Sequence, residues 1–472
     1  MRARLIVRVA IGAAICATAV DAQEPRVPET WRRYGRDVLR ELVAAPTTSE
    51  GDATPIAEWI AARLRAAGIP AADVQVVGPT ATNRNLVARL RASRPSRRPI
   101  LLLAHLDVVA ARREDWSMDP FTLTERDGFL YGRGTQDVKG GAAQLVTVVA
   151  RLAQERVALD RDVILALTVG EETDLPYNGA QWLVRERRPL IDAEYVLNVD
   201  GGAGEADARG VPRAMTVQGA EKRFYSVALE ATNPGGHSSL PRRDNAIYAL
   251  AQALTRVAQV EFPARTNPIT RAYFAASAPL SAPALRADLA ALGRLPLDSA
   301  AAARASRADP GYNAMLRTTC VATQLSGGHA ENALPQRARA VINCRLLPDE
   351  DAHAVVARLR TAVADSTLTL TPLAEAAPAA ATEMRQDLID AVAVTARDVW
   401  GSLPVIPVME TGGTDGVHTR PAGLPTFGVS GFFIEAGENR MHGRDERIRA
   451  RTYDEGAEFL FRLLRRLAAS TP

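Results

Sequence analysis

The sequence predicts an α/β protein whose sheet-bearing domain is interrupted by a smaller inserted domain. Three observations predict it. Short apolar runs bounded by Gly or Pro recur at Ile100-Leu101-Leu102-Leu103-Ala104, at Val163-Ile164-Leu165-Ala166-Leu167-Thr168-Val169 and at Tyr195-Val196-Leu197-Asn198-Val199; such runs read as strands buried on both faces. Helical patterns alternate with them, as in a layered α/β fold. Each run ends in acidic or imidazole groups, namely His105-Leu106-Asp107, Glu171-Glu172 and Asp200. Functional groups of α/β sheets collect where strands reach their carboxyl ends. Three strands thus deliver carboxylates and imidazole to one edge, the layout of a two-metal site.

The bulk numbers frame this reading. A chain of 472 residues exceeds one ordinary core, so two domains are expected. With 47% hydrophobic and 24% charged residues it has the balance of a soluble globular protein. A formal charge of +3 implies no broad basic surface, which excludes a nucleic-acid partner. Arginine carries nearly all the positive charge; the lysines are Lys139 and Lys222.

Arg2, Arg4 and Arg8 precede an apolar segment from Val9 to Val20, too short to span a bilayer stably. Val20-Asp21-Ala22 offers small residues for cleavage, so residues 1–22 are expected to be a signal peptide; a retained membrane anchor is the alternative. Cys16 lacks a lipoprotein context, because Ile15 is not small. Thr54 to Ala67 follows as an amphipathic helix stopped by Gly68. Asn85 to Ala88 and Ile100 to Ala104 read as strands, Gly140 to Leu152 as a helix opened by Lys139-Gly140-Gly141. A loose stretch at Gly201-Gly202-Ala203-Gly204 marks a domain boundary. From about Phe224 the pattern becomes strand, helix, irregular insert and strand hairpin. The segment from Ala264 to Pro310 has weak periodicity and receives no assignment. Helices resume at Gln386 to Trp400 and Tyr453 to Leu467, with His442 between them.

Taken singly, each motif has an ordinary reading. A His near an Asp recurs in surface networks, and acidic pairs are usually solvated. A buried strand ending in two carboxylates is different, because like charges repel there unless a cation intervenes. Asp137 lies in the loop Gly132-Arg133-Gly134-Thr135-Gln136-Asp137-Val138-Lys139-Gly140-Gly141. It lacks the spacing and the Lys-Ser/Thr ending of a phosphate cradle, which excludes a nucleotide site there. His442 alone, in Asn439-Arg440-Met441-His442-Gly443-Arg444-Asp445-Glu446, is an unremarked loop histidine.

Together these motifs resemble the co-catalytic zinc metallopeptidase family of carboxypeptidase G, aminoacylase, acetylornithine deacetylase, succinyl-diaminopimelate desuccinylase and carboxypeptidase S. The resemblance continues through Pro234-Gly235-Gly236-His237-Ser238-Ser239, Gly327-Gly328, Asn332-Ala333-Leu334-Pro335, Cys344-Arg345-Leu346-Leu347-Pro348 and Gly412-Gly413-Thr414-Asp415, in the family's order. It implies a three-layer α/β/α zinc-peptidase domain over residues 27–209 and 366–472. It implies an inserted α+β, ferredoxin-like lid over residues 210–365 that often dimerises.

The resemblance also implies two Zn2+ per subunit, with Co2+ or Mn2+ as substitutes. Asp137 would bridge both ions. His105 and Asp200 would complete one site, and Glu172 and His442 the other, all proper zinc donors. Glu171, free of metal, would be the general base. Asp107 would hold His105 by its second nitrogen. The peptide after Asp137 is cis in relatives, and Val138 there departs from the commoner methionine. His237, by itself a turn residue, reaches a neighbouring active site in relatives and hydrogen-bonds the developing oxyanion. Asn332 and Arg345 would hold the substrate and its carboxylate; an arginine fork suits that group, and a surface ion pair is the alternative. Gly413 would give its backbone to the same group. His329, His353 and His418 carry no motif.

Cys320 and Cys344 are the cysteines left after signal removal. The runs Thr318 to Leu325 and Ala338 to Arg345 read as paired strands in a register that sets the two opposite each other. A disulfide and two buried thiols both remain open.

The expected protein is a periplasmic or secreted dinuclear zinc hydrolase of peptides or N-acyl amino acids, homodimeric, with no membrane span after signal removal. Asp200 in place of glutamate leans towards peptidase within such families; an aminoacylase-like activity is the alternative. A non-catalytic binding protein on the same scaffold is the rival from another class, opposed by Glu171 beside five ligands. Calcium is disfavoured because imidazole is a poor calcium donor.

Overall fold

The computed structural model describes residues 27–376 and 381–469. The expected signal peptide, with Cys16, lies outside the described residues. Ten strands form the main sheet. At its centre Val163–Thr168, Ile100–His105, Tyr195–Asn198 and Thr426–Gly428 run parallel to one another. Alternation along these strands sends side chains to two cores. Leu102, Ala104, Leu165 and Leu167 join the core built with helices Glu29–Ala44, Lys139–Gln154 and Ala450–Ala468. Leu101, Leu103, Ile164 and Ala166 join Leu183 and Ile191 of helices Gly179–Glu186 and Arg188–Ile191. Helices thus cover both faces, a three-layer α/β/α domain. Each buried leucine or isoleucine among them contributes about 1.5–3 kcal/mol.

The second sheet has the order Thr319–Gly327, Arg337–Leu346, Arg223–Thr232, Thr369–Pro372 and is antiparallel throughout. Helices Ala246–Val257 and Ala352–Val363 pack on one face around Tyr225, Val227 and Leu229. Chain order is βαββαβ, the ferredoxin-like arrangement. The strand Pro212–Glu221, beyond residue 210, pairs into the main sheet, and Thr369–Pro372, beyond residue 365, pairs into the smaller one. The chain passes from one sheet to the other at Lys222.

The segment from Ala264 to Pro310 is helical. Helices Pro268–Ser277, Pro283–Leu292, Ser299–Ala308 and Pro310–Leu316 build a third core with Ala220 and Met409 of the main sheet. Three of their starts are capped by the Asn267, Asp298 and Asp309 side chains. In the smaller sheet Cys320 stands opposite Cys344, and the two are joined in a disulfide.

A third, small sheet brings distant loops together. Arg447–Arg449 pairs with Phe129–Tyr131. The loop after Tyr131, which carries Asp137, therefore lies beside the loop before Arg447, which carries His442.

Candidate metal centre

Three carboxylates and two imidazoles converge at the carboxyl edge of the main sheet, with the Glu171 carboxyl close enough to act on His105. His105 ends its strand almost fully buried, 1% exposed. Its Nε2 lies 3.1 Å from Asp137 Oδ1 and 3.8 Å from Asp200 Oδ1. The other oxygen of Asp137, Oδ2, is 3.0 Å from His442 Nε2, which is also 2.6 Å from Glu172 Oε1. Asp137 thus divides its two oxygens between two imidazoles, with Asp200 on one side and Glu172 on the other. Donor atoms of His105, Asp137 and Glu172 all lie within 4.8 Å of one another.

The electrostatics of this cluster call for positive charge. Burial opposes a charged His105, yet Asp137 and Asp200 outweigh it and hold its pKa well above the ordinary value. Hydrogen bonds with Asp137 and Glu172 push His442 up to about 10. Burial raises the carboxyls of Glu171 and Asp200, the latter to about 7. Asp137 goes the other way: burial resists ionisation, but His105 and His442 overcome it. The two imidazoles stand among carboxylates whose charge an oxygen- and nitrogen-seeking cation would balance. The donor set, imidazole plus carboxylate, fits zinc-type ions.

The loops that hold these groups are fixed by partners at their backbones. Glu446, fully buried, accepts from the Arg133 guanidinium at 2.6 Å and from the backbone N–H groups of Gly134, Gln136 and Asp137 at 3.0, 2.7 and 3.1 Å. Arg133 also donates to the His442 carbonyl at 3.3 Å, tying the two loops. The Asp137–Val138 peptide is cis, and the helix Lys139–Gln154 starts directly after it. At Gly140 any side chain would meet the Thr135 carbonyl, since a Cβ would lie 2.3 Å from it. Lys139 does not reach the cluster; its ammonium donates to the Ala45 carbonyl at 2.6 Å.

Glu171 and Glu172 sit on a turn released from its strand by Gly170 at φ +81°. Asp107 grips this turn. Its carboxylate accepts from Glu172 N at 2.9 Å, from Glu171 N at 3.4 Å and from the Thr173 hydroxyl at 2.8 Å. The hold on His105 Nδ1 comes from the Asp107 main-chain carbonyl at 2.9 Å, while its carboxylate oxygen stands 3.9 Å away. Asp415 braces the same segment at both ends, accepting from Thr168 Oγ1 at 2.6 Å and Asn178 Nδ2 at 2.7 Å.

The remaining sequence-derived residues lie on or near the smaller sheet. Arg345 is half-buried, and Glu171 is the acidic group whose charge acts on it. A Cβ on Gly413 would lie 3.9 Å from the Lys222 carbonyl, where the sheets meet. His237 and Asn332 are neighbours in an exposed two-stranded ribbon, Gly236–His237 against Ala333–Leu334. Ser238 N donates to the Asn332 carbonyl at 3.0 Å, and His237 Nδ1 accepts from Ser239 N at 3.1 Å. The hydrogen bonds of His237 stay within this ribbon and do not join it to the carboxylate cluster. Glu446 and Asp415 were not singled out from the sequence, although both stand in quoted motifs. Their signal is an acidic residue a few positions beyond a candidate ligand or glycine pair.

A parallel-stranded α/β/α domain with this cluster at its edge, and a βαββαβ lid beside it, defines a metal-dependent hydrolase of the peptidase and amidohydrolase class. Residues 101–466 match the profile of peptidase family M20/M25/M40, and the chain belongs to that family. It is 27% identical over 388 residues to the N-fatty-acyl-amino acid synthase/hydrolase PM20D1 of Mus musculus, covering 79% of this chain and 75% of that protein. Its fold is similar to that of an M20 family metallo-carboxypeptidase, Sso-CP2, from Sulfolobus solfataricus, with TM-score 0.67, 18% identity, and 91% and 98% of the two chains covered. It is also similar to the Bacillus subtilis YXEP protein, described as a dinuclear metal binding peptidase, with TM-score 0.57, 12% identity, and 92% and 98% covered.

Proposed function

We propose that the chain is an exported zinc hydrolase that cleaves the amide bond of an N-acyl amino acid or peptide whose amine half carries a free carboxylate. The observation that carries this reading is the division of Asp137 between two imidazoles, with Asp200 and Glu172 on opposite sides. His105, Asp200 and one Asp137 oxygen would hold one zinc; His442, Glu172 and the other oxygen would hold the second. Bound zinc would polarise the scissile carbonyl and acidify water. Glu171 is the group left to move protons: it takes one from the attacking water and hands it to the leaving amine. Asp107 keeps Glu171 in place through the turn it grips. Arg345 and the Gly413 backbone hold the substrate carboxylate, and Asn332, the neighbour of His237 in the ribbon, helps to hold the substrate from a second copy of the chain.

His237 supplies an oxyanion donor from the lid of a second copy. Its exposure, its distance in sequence from the ligands and the solvent-facing edge strand Thr319–Gly327 support a homodimer. The Cys320–Cys344 disulfide supports an oxidising compartment, consistent with a signal peptide over residues 1–22 and a periplasmic or secreted enzyme. Among the described residues no helix is long and apolar enough to cross a membrane. The similarity to an N-fatty-acyl-amino acid synthase/hydrolase favours N-acyl amino acids over peptides.

The test is a zinc- or cobalt-loaded preparation assayed against N-acyl amino acids, dipeptides and C-terminally amidated peptides. Hydrolysis of the free-carboxylate substrates, abolished by chelation and restored by zinc, is the expected result. Equal turnover of amidated peptides, or turnover that survives complete metal removal, overturns the reading.

A further inference from the structure

Resting on that reading, we propose that Phe224, on a sheet face that also carries Leu373 and Val321, forms an apolar subsite next to Arg345, so that the carboxylate-bearing amino acid released by the enzyme has an aromatic or aliphatic side chain. The argument begins with strand alternation. Tyr225, Val227 and Leu229 point into the core under the lid helices, which sends Phe224 and Ser226 to the opposite face. Register then fixes their neighbours. Phe224 stands opposite Arg345 and Ser226 opposite Asn343; on the next strand Thr319 stands opposite Arg345 and Val321 opposite Asn343. Leu373 continues the far strand past the Val227–Pro372 pair, and its N–H donates to the Ser226 carbonyl at 2.9 Å. Phe224, Val321 and Leu373 are 59%, 61% and 47% exposed, so the sheet face that carries Arg345 leaves three large apolar side chains in water.

That cation is short of partners. Among the described residues no hydrogen bond or ion pair engages the Arg345 guanidinium, which lies over the Phe224 ring, 5.0 Å from its centroid. Glu171 acts on it from the metal centre, and the guanidinium's own charge bears on Lys222. The guanidinium therefore lies within electrostatic reach of the reacting groups. A carboxylate completes the guanidinium's hydrogen bonds. The side chain of an amino acid springs from the carbon that bears this carboxylate, so it falls on the adjacent ring. An aromatic or aliphatic side chain there removes Phe224 from water. An aspartate or glutamate side chain would instead lie against the ring and compete for the one guanidinium.

The experiment holds the acyl group constant, using whichever of acetyl or dodecanoyl supports turnover, and varies the amino acid among Phe, Leu, Ala and Asp. For the zinc-loaded enzyme, kcat/KM for the Phe and Leu substrates should exceed that for Ala and Asp by about tenfold or more, corresponding to ~1.4 kcal/mol. Phe224→Ala should collapse that ratio to near one, and Phe224→Trp should retain it. A binding arm works without turnover: N-acetyl-L-phenylalanine should bind zinc-loaded Glu171→Gln protein more tightly than N-acetyl-L-alanine, and adding Phe224→Ala should erase the difference. If no amide is hydrolysed, the proposed function fails while the binding arm still decides the subsite. Equal binding of the two ligands, or a ratio unchanged in Phe224→Ala, overturns the subsite. So does a Phe224→Ala protein that keeps the ratio but dissociates on a sizing column, since the face would then be a subunit contact.

Discussion

At the carboxyl edge of the main sheet charged groups engage one another: Asp137 with His105 and His442, Glu172 with His442, and Glu446 with Arg133. On the open face of the lid sheet Arg345 has an aromatic ring for company and no carboxylate within ion-pair reach among the described residues, and Lys222 is buried against a carbonyl and a hydroxyl. The first region is pre-paired, its geometry set before any substrate arrives. The second holds unspent hydrogen-bonding capacity. A half-buried guanidinium without a protein partner keeps its hydrogen bonds for water or for a ligand. On the proposed reading the first region is the reaction centre and the second the recognition surface, and each should fail in its own way.

The largest effect is expected at the centre. Glu171→Gln should lower kcat by about 10²–10⁴-fold, the range for loss of a general acid–base group, while leaving two metals bound. Glu172→Gln should instead release metal, because that carboxylate balances a cation and not a proton. Metal content by mass spectrometry, measured beside kcat, separates the two. Loss of metal in Glu171→Gln alone would reverse the assignments.

The next effect falls on the lid. His237→Ala should reduce kcat by about 10²–10³-fold with metal content intact, as loss of an oxyanion donor does. Mixing inactive His237→Ala with inactive Glu171→Gln protein sharpens the comparison. In a mixed dimer one site combines an intact Glu171 with the partner's intact histidine, so activity should return after subunit exchange. A monomeric chain, or mixed dimers that stay silent, would place His237 in its own subunit's chemistry or in none.

The two regions also differ in how far the sequence exposes them. His105, Glu171, Glu172 and Asp200 could be read directly, because each follows an apolar run whose strand identity fixes where it ends. His442 could not; it comes to Asp137 through the pairing of Arg447–Arg449 with Phe129–Tyr131, a contact between remote segments that no local pattern encodes. Only family resemblance located it. Glu446 and Asp415 act on backbone N–H groups, a hydroxyl and an amide, so their roles depend on tertiary approach. The atom by which Asp107 holds His105, a main-chain carbonyl, is likewise invisible in the residue type. The helical insert escaped for another reason. Its buried face is largely alanine, as at Ala301, Ala302 and Ala305, which blurs the apolar period. Three of its four helix starts are nonetheless marked, by Asn267-Pro268, Asp298-Ser299 and Asp309-Pro310, cap residues followed in two cases by proline.

Removing the recognition charge should weaken binding more than chemistry. Arg345→Met keeps the bulk over Phe224 and deletes the fork. Charge-assisted hydrogen bonds contribute about 1.5–3 kcal/mol, so KM should rise about 10–100-fold with kcat nearly kept. The same variant should lose its preference for free-carboxylate over amidated substrates. A fall in kcat at constant KM would move Arg345 from recognition into the reaction.

The smallest effect concerns the other lid cation and is read in stability. Lys222 lies where the chain leaves one sheet for the other; its N–H donates to the Glu410 carbonyl at 3.0 Å, and its ammonium donates to the Arg317 carbonyl at 2.8 Å. Burial, with Arg345 adding to it, lowers its pKa from 10.5 to about 7. Between those two values the unfolded chain binds a proton that the folded chain does not. Stability from this group is therefore full above the unfolded value and is lost as pH falls toward about 7, at no more than about 1.4 kcal/mol per pH unit. Urea unfolding at pH 7 and pH 9 should show the folded state gaining stability with pH, and Lys222→Met should flatten that rise. Equal slopes in the two proteins would mean that a carboxylate reaches Lys222 after all, and that the lid is as fully paired as the main sheet.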